Sequence, residues 1–119
     1  MASIWLSGCH LTFEIPQGNP ARLVVQSRAD GIADRLISPN HPLVQYVNHW
    51  LAVNPDGWEY GLITRPAYVS LSAASYNVDI LEHEVTVKTC QSKRICNLWI
   101  KKDDSLMQGI RDGGILRKV

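Results

Sequence analysis

The chain has 119 residues, of which 45% are hydrophobic and 19% are charged. This length suits one domain with a single hydrophobic core and is too short for two. The composition excludes a largely disordered chain, and no apolar run is long enough to cross a membrane. Because the three cysteines are an odd number and no secretory leader pattern is visible, we expect a reducing, intracellular setting.

The charges are distributed unevenly along the chain. Residues 1–87 carry four arginines and eight acidic residues, whereas residues 88–119 carry eight basic and three acidic residues, so the net charges are −4 and +5. A chain of this polarity can meet an acidic partner with its C-terminal third, or bind a second copy head to tail. The alternative is a solvated surface of mixed charge.

The first predicted elements are a strand and a helix. Residues 4–15 combine β-branched and aromatic side chains in imperfect alternation, which predicts a strand. Asn19 and Pro20 favour a helix start, because asparagine can cap free N–H groups and proline at the first helical position has none to leave unpaired. The apolar face of this helix would consist of Val25, Ala29, Ile32 and Leu36. Because a glycine interrupts this face, the alternative is a strand over residues 22–26 before a helix that begins near Asp30.

A second helix is predicted over residues 42–51, where apolar residues recur at helical spacing. They are Leu43, Val47, Trp50 and Leu51. The turn-forming residues 54–57 end this helix. Residues 58–64 and 67–73 then have the composition of strands, and residues 74–78 form a looser segment.

Residues 79–102 contain the clearest sheet signal. Two apolar runs, residues 85–89 and 95–100, are joined by a short polar turn that contains Lys93 and Arg94. Two such runs around a tight turn predict an antiparallel hairpin.

The remaining residues complete the predicted fold. A short helix is expected after residues 103–105, with Leu106, Met107 and Ile110 on its inner side. We predict one domain over residues 1–112 and a flexible basic and apolar tail over residues 113–119. The order of elements predicts an α+β fold, in which an antiparallel sheet carries about two helices on one face.

Three cysteines and a histidine raise the question of a zinc site. The spacing of five residues between Cys90 and Cys96 exceeds that of usual zinc ligands, and Cys9 and His10 would point to opposite faces of a strand. We therefore predict no metal, and we interpret the cysteines as small buried thiols.

No residue pattern indicates catalysis. His83 lies between Glu82 and Glu84, but on a strand the histidine would face away from both carboxylates. We expect the two glutamates to pair across the hairpin with Lys101 or Lys102. Phosphate-binding and nucleophile-elbow motifs are missing from the sequence. The prediction is a protein that is not an enzyme and has no cofactor.

Six basic residues of the C-terminal third form the predicted binding site for an acidic surface. They are Lys93, Arg94, Lys101, Lys102, Arg117 and Lys118. About four to eight clustered basic residues suffice for an anionic membrane. RNA recognition would need several exposed aromatic residues among the charges, and only Trp99 is near, so direct nucleic-acid binding is less favoured. Trp99 and Leu116 are the residues predicted to mediate self-association.

Five segments follow one another in a distinctive order: IWLSGCHLTFEIP, PARLVVQSRADGIADRLI, PLVQYVNHWLAV, GWEYGLITRPAYVSLS and EVTVKTCQSKRICNLWI. This order resembles that of the matrix proteins of rhabdoviruses, and the last segment contributes most to the resemblance. The resemblance implies self-assembly, membrane association and no catalytic residue. The chain differs from that family in a shorter N-terminus and in lacking a PPxY-type segment, so recruitment of budding machinery is not implied.

These features predict a non-enzymatic, matrix-like viral structural protein. Such a protein would self-associate and bind an anionic membrane surface or a viral nucleocapsid, in the host cytoplasm or at the inner surface of the virion. The first alternative is a small intracellular phage or viral inhibitor or adaptor that binds a host protein. The second alternative is a nucleic-acid-binding protein.

Overall fold

The computed structural model describes residues 11–15, 23–62, 65–73 and 75–119. These residues form one seven-stranded antiparallel sheet and two α-helices, which confirms the predicted α+β class. The strands are β1 (Leu23–Ser27), β2 (Ile32–Ile37), β3 (Glu59–Tyr60), β4 (Val69–Ala73), β5 (Tyr76–Ile80), β6 (Val85–Cys90) and β7 (Cys96–Lys101). The helices are α1 (Pro42–Val53) and α2 (Ser105–Asp112), and a 3-10 helix spans Ile115–Lys118. The strands lie in the order β2-β1-β4-β5-β6-β7-β3.

The predicted first helix is wrong in the part that the structure describes, because β1 and β2 form a hairpin there. Val25 of β1 lies opposite Arg35 of β2. Gly31 has a φ of 70°, which residues with a side chain rarely adopt, and it allows the turn between the strands. The alternative strand over residues 22–26 is confirmed in its described residues, whereas the alternative helix from Asp30 is also wrong.

Residues 11–15 have no regular secondary structure, so the described part of the predicted first strand is wrong. Ile15 is nevertheless buried, and its N–H donates a hydrogen bond to the side-chain oxygen of Asn48 at 2.7 Å. The Asn48 amide in turn donates to the carbonyl of Ile15 at 3.2 Å. These two bonds attach the segment to α1. Residues 4–10 and the predicted helix start at residues 19–20 lie outside the described residues.

Helix α1 confirms the predicted second helix. Its N-cap is His41, whose Nδ1 accepts a hydrogen bond from the N–H of Leu43 at 3.1 Å, and Pro42 occupies the first helical position. Its buried residues are Leu43, Val44, Val47, Trp50 and Leu51. Within the described part of the chain, neither this helix nor α2 is long and apolar enough to cross a bilayer.

Two strands differ from the prediction. β3 has only two residues, although a strand over residues 58–64 is predicted, and residues 63–64 lie outside the described part. β5 forms in the segment predicted to be loose, because Val78 and Ile80 enter the core. Asp79, which lies between them, faces the other side of the sheet, where its carboxylate accepts a hydrogen bond from the Ser70 hydroxyl at 2.8 Å.

The predicted hairpin is confirmed over β6 and β7. Val85 lies opposite Lys101 at one end of the hairpin, and Cys90 lies opposite Cys96 at the other. The structure assigns residues 79–80 to β5 rather than to the hairpin.

The helices cover one face of the sheet and close the core. The strand residues fully buried beneath them are Val25, Val69, Leu71, Val78, Ile80, Val85 and Val87. Helices α1 and α2 approach each other closely where Tyr46 meets Gly109. A Cβ atom at position 109 would overlap the Tyr46 hydroxyl, so the glycine makes this approach possible.

Residues 113–119, for which the sequence predicts a flexible tail, are folded against the domain in the structure. The apolar residues that pack against the core are Ile115, Leu116 and Val119. The Arg35 guanidinium donates a hydrogen bond to the Val119 carbonyl at 3.1 Å. Nε2 of His41 lies 3.0 Å from the carbonyl oxygen of Lys118. These contacts connect the C-terminal segment to both β2 and α1.

Candidate interaction surface at the basic hairpin

A disulfide bond joins Cys90 and Cys96 at the end of the β6–β7 hairpin. The two residues are directly opposite in the strand register, and their Cα atoms are 4.0 Å apart. The interpretation as buried thiols is therefore wrong for both residues, and Cys9 lies outside the described residues. The spacing of five residues argues against a shared zinc ion, but it suits a disulfide, because a five-residue turn brings the ends of two paired strands together.

The disulfide closes a loop formed by residues 91–95, which we call the hairpin tip. All five residues of the tip are exposed, and Ile95 is 57% exposed despite being apolar. The Ser92 hydroxyl oxygen accepts hydrogen bonds from the N–H groups of Arg94 and Ile95 at 3.3 and 3.2 Å. The tip therefore presents Lys93, Arg94 and Ile95 on a backbone that is constrained before any partner binds.

An apolar strip lies beside the hairpin, where β3 ends. Tyr60 and Leu62 are 58% and 89% exposed. The Tyr60 ring packs edge to face on Trp99, with ring centroids 5.0 Å apart, and its hydroxyl donates to Asn97 at 2.9 Å. A groove connects this strip to the disulfide, and its lining includes Leu62, Lys88, Cys96 and Leu98.

We call the hairpin tip together with Tyr60, Leu62 and Lys88 the tip surface. Its three cations are Lys88, Lys93 and Arg94. None of the three forms an ion pair within the part of the chain that the structure describes. The tip surface therefore combines unpaired positive charge with exposed aromatic and aliphatic side chains.

Lys101 and Lys102 lie at the opposite end of the hairpin. Lys101 is half-buried, and its ammonium group donates a hydrogen bond to the carbonyl of Asp56, whereas Lys102 is exposed. At about 3.3 Å per strand residue, β7 separates Lys101 from the hairpin tip by roughly 20 Å.

Arg117 and Lys118 lie in a third place. They belong to the 3-10 helix, whose end contacts Arg35 of the edge strand β2. Five inter-strand spacings separate β2 from β7, which at about 4.8 Å each correspond to roughly 24 Å. The structure thus places the six predicted basic residues in three separate groups. The two residues predicted for self-association, Trp99 and Leu116, are both half-buried and pack against the core, and Trp99 also contacts Tyr60 of the tip surface.

The predicted pairing of glutamates with the hairpin lysines is wrong. Glu82 pairs with Arg111 of α2 at 3.3 Å, and Glu84 pairs with Arg65 at 3.6 Å. Because β6 begins only after these glutamates, they lie in the turn that precedes it, beyond the paired part of the hairpin.

One titratable side chain of the described residues has a strongly shifted pKa. Burial raises the pKa of the Tyr76 phenol well above its usual value, and the negative charge of Glu14 adds to the rise, while a contact with the Glu14 backbone opposes it. The hydroxyl forms no hydrogen bond of normal geometry with the described residues. Among those residues, no group of three His, Cys, Asp or Glu side chains could hold a metal ion.

Sequence reasoning identified the basic residues of the tip but missed its apolar neighbours. The apolar pattern predicts Ile95 as the first residue of a strand, although it directly follows two basic residues, and this position next to the basic turn is the signal that could have identified it. Tyr60 and Leu62 gave no comparable signal, because their exposure follows from the early end of β3.

No protein-family model matches this chain, and no curated protein or solved structure matches it either. The likeness to rhabdovirus matrix proteins therefore remains a resemblance of sequence pattern.

Proposed function

We propose that this protein is a non-enzymatic, matrix-like assembly protein that self-associates through its tip surface. The observation that supports this proposal is the constrained presentation of Lys93, Arg94 and Ile95 beside the exposed Tyr60 and Leu62. Aromatic residues and arginine are enriched at protein interfaces, and they dominate binding when apolar side chains surround them. A preformed loop also loses less conformational entropy on binding than a flexible one.

The partner surface in this proposal is an acidic protein surface, and a second copy of the chain can supply it. Residues 1–87 carry a net charge of −4, so a head-to-tail arrangement brings opposite charges together. Such a heterologous contact generates rings or open filaments, as an assembly protein requires.

The number of charges favours a protein partner over a membrane. Each basic residue near an anionic bilayer contributes about 1 kcal/mol, so the three cations of the tip surface contribute roughly 3 kcal/mol. This is weak attachment, and Arg117 and Lys118 lie too far across the sheet to add to it. Binding to an anionic membrane or to a nucleocapsid therefore remains a secondary part of the proposal. The proposed setting in the host cytoplasm or virion interior must also accommodate the Cys90–Cys96 disulfide, which is typical of oxidising compartments.

Sedimentation velocity over a range of protein concentrations tests self-association. The informative variants are Leu62→Asp and Arg94→Glu, which place negative charge on the tip surface. The matched control is Val53→Asp, since Val53 is 60% exposed at the end of α1. We expect both tip variants to weaken self-association by about tenfold or more and the control to match the wild type. A wild type that remains monomeric at about 1 mM contradicts the proposal, as does an equal loss in the control.

Vesicle flotation separates the membrane part of the proposal from the protein part. If the tip surface binds lipid, Lys93→Glu with Arg94→Glu abolishes recovery with phosphatidylserine-rich vesicles at low salt, whereas Arg117→Glu with Lys118→Glu preserves it, because these two exposed residues lie across the sheet from the tip surface. Equal recovery of the wild type with neutral and anionic vesicles excludes the membrane part and leaves self-association to be judged by sedimentation.

A further inference from the structure

A second candidate site lies at the end of the sheet away from the hairpin tip. Three chain segments surround a cleft of about 650 Å³ there: the β1–β2 turn, the segment before β4, and the turn between β5 and β6. Binding sites for small molecules usually have volumes of roughly 300–1,000 Å³. None of its residues belongs to the tip surface, so a ligand here would have a separate role.

Contacts within the fold hold two walls of this cleft in place. The Ser27 hydroxyl donates a hydrogen bond to the Asp30 carboxylate at 2.7 Å, across the turn that carries Arg28. On the other side, the N–H of Leu81 donates to the carbonyl of Glu84 at 2.9 Å and fixes the β5–β6 turn. The cleft is therefore preformed, as small-molecule sites usually are.

The charges that line the cleft leave positive charge uncompensated. Glu82 is paired with Arg111, and Glu84 is paired with Arg65, so both carboxylates of the cleft are already engaged. Arg28 also lines the cleft, and no carboxylate among the described residues pairs with it. A guanidinium group presents paired donors that match a carboxylate or a phosphate.

The remaining wall of the cleft is apolar and partly aromatic. Tyr68 lines it and is 37% exposed. The Arg111 guanidinium lies 5.1 Å from the centroid of this ring, which fixes the orientation of the ring from one side. Pro66 and Leu81 extend the apolar lining. A flat ring can pack against such a wall while an attached anion reaches the arginine.

We infer that this cleft binds a small organic anion with a flat ring, namely an aryl phosphate or an aryl carboxylate. Arg28 binds the anionic group, and Tyr68 contacts the ring. The function proposed for the tip surface does not require this site, and this site does not require that function.

Titration of the ¹⁵N-labelled protein with phenyl phosphate and with benzoate, followed by amide chemical shifts, tests the inference. We expect saturable shifts confined to residues 28–30, 65–68 and 81–84 with at least one probe, and the tighter probe identifies the anionic group. Inorganic phosphate lacks the ring and benzyl alcohol lacks the charge, so each should bind about tenfold more weakly or worse.

Two variants assign the roles within the cleft. Arg28→Ala should weaken binding of the tighter probe by about tenfold, because it removes a charge-assisted hydrogen bond. Tyr68→Leu should reduce the preference for phenyl phosphate over inorganic phosphate. Arg94→Ala in the hairpin tip is the control and should bind like the wild type. Both cleft residues are exposed, and a dispersed amide spectrum of each variant verifies its fold.

Three results would overturn the inference. The first is no saturable shift with either probe up to about 10 mM. The second is unchanged affinity in a folded Arg28→Ala variant, and the third is a set of shifts located at the hairpin tip. None of these results affects the sedimentation test, so failure of the cleft and failure of the tip surface are distinguishable.

Discussion

The side-chain amide of Asn48 forms hydrogen bonds with both backbone polar groups of Ile15, accepting from its N–H at 2.7 Å and donating to its carbonyl at 3.2 Å. One helical side chain thereby does for this segment what a neighbouring strand would do in a sheet. The segment needs this substitute because it is irregular and yet places Ile15 in the core.

Asn48→Ala should lower the free energy of unfolding by about 2 kcal/mol, because it leaves two backbone groups without their partner. Urea denaturation measures the change. His49→Ala is the control, since His49 is exposed on the same helix, and we expect a change within about 0.5 kcal/mol. Equal effects of the two substitutions would show that the amide does not hold the segment.

The disulfide predicts both a thiol count and a change in stability. Of the three cysteines, only one should react with iodoacetamide in denaturant without reductant, and all three should react after reduction. Replacing Cys90 and Cys96 together by serine should destabilise the fold by roughly 2 kcal/mol, because closing this short loop restricts the unfolded chain. Mass spectrometry and urea denaturation measure these outcomes. Three reactive thiols before reduction would rule out the disulfide in solution.

The buried phenol of Tyr76 predicts a loss of stability at alkaline pH. Its pKa is raised in the folded state, so this contribution to stability is complete below the ordinary tyrosine pKa of about 10 and declines at higher pH, where only the unfolded chain ionises readily. Tyr76→Phe should reduce this decline and cost little at neutral pH, since the hydroxyl has no hydrogen bond of normal geometry with the described residues. Thermal unfolding at a series of pH values from 7 upward measures the decline in stability. Tyr60→Phe is the control, because Tyr60 is exposed. A decline that is identical in Tyr76→Phe and the wild type contradicts the prediction.

The capping contact of His41 at the start of α1 predicts which substitution restores stability. His41→Ala should destabilise the protein by about 1 kcal/mol, because the N–H of Leu43 loses its capping acceptor. His41→Asn should recover most of this loss, since asparagine is a preferred N-cap residue. Urea denaturation of the wild type and of the two variants measures the free energies of unfolding that are compared. If asparagine fails to rescue, the contact of His41 with the Lys118 carbonyl is the more important one.

The spacing of apolar residues was sufficient to predict α1 and the β6–β7 hairpin, because in both the turn residues lie where that spacing ends. It failed for β1 and β2 because Val25, Ala29, Ile32 and Leu36 happen to have helical spacing. Only Val25 and Ile32 of these four are buried, whereas Leu36 is 62% exposed. The positive φ at Gly31 decides between the two structures, and that conformation cannot be read from composition.

The candidate surfaces were less predictable than the fold, because both depend on distances in space. The C-terminal third does carry an excess of basic residues, but the length and the order of the strands place the six predicted basic residues in three separate groups. The cleft near Arg28 joins three segments of the chain, residues 28–29, 65–68 and 81–84, and long-range contacts of this kind leave no periodic signal.

The close approach of Tyr46 to Gly109 constrains how this protein can diverge. A helical glycine costs about 1 kcal/mol relative to alanine, so drift alone would favour replacing it. Because the Tyr46 hydroxyl already occupies the space of a Cβ atom there, alanine at position 109 requires the Tyr46 side chain to move away or to be replaced by a smaller one. We therefore expect the residues at positions 46 and 109 to covary among descendants of this sequence, and such covariation would reveal the α1–α2 contact without a structure.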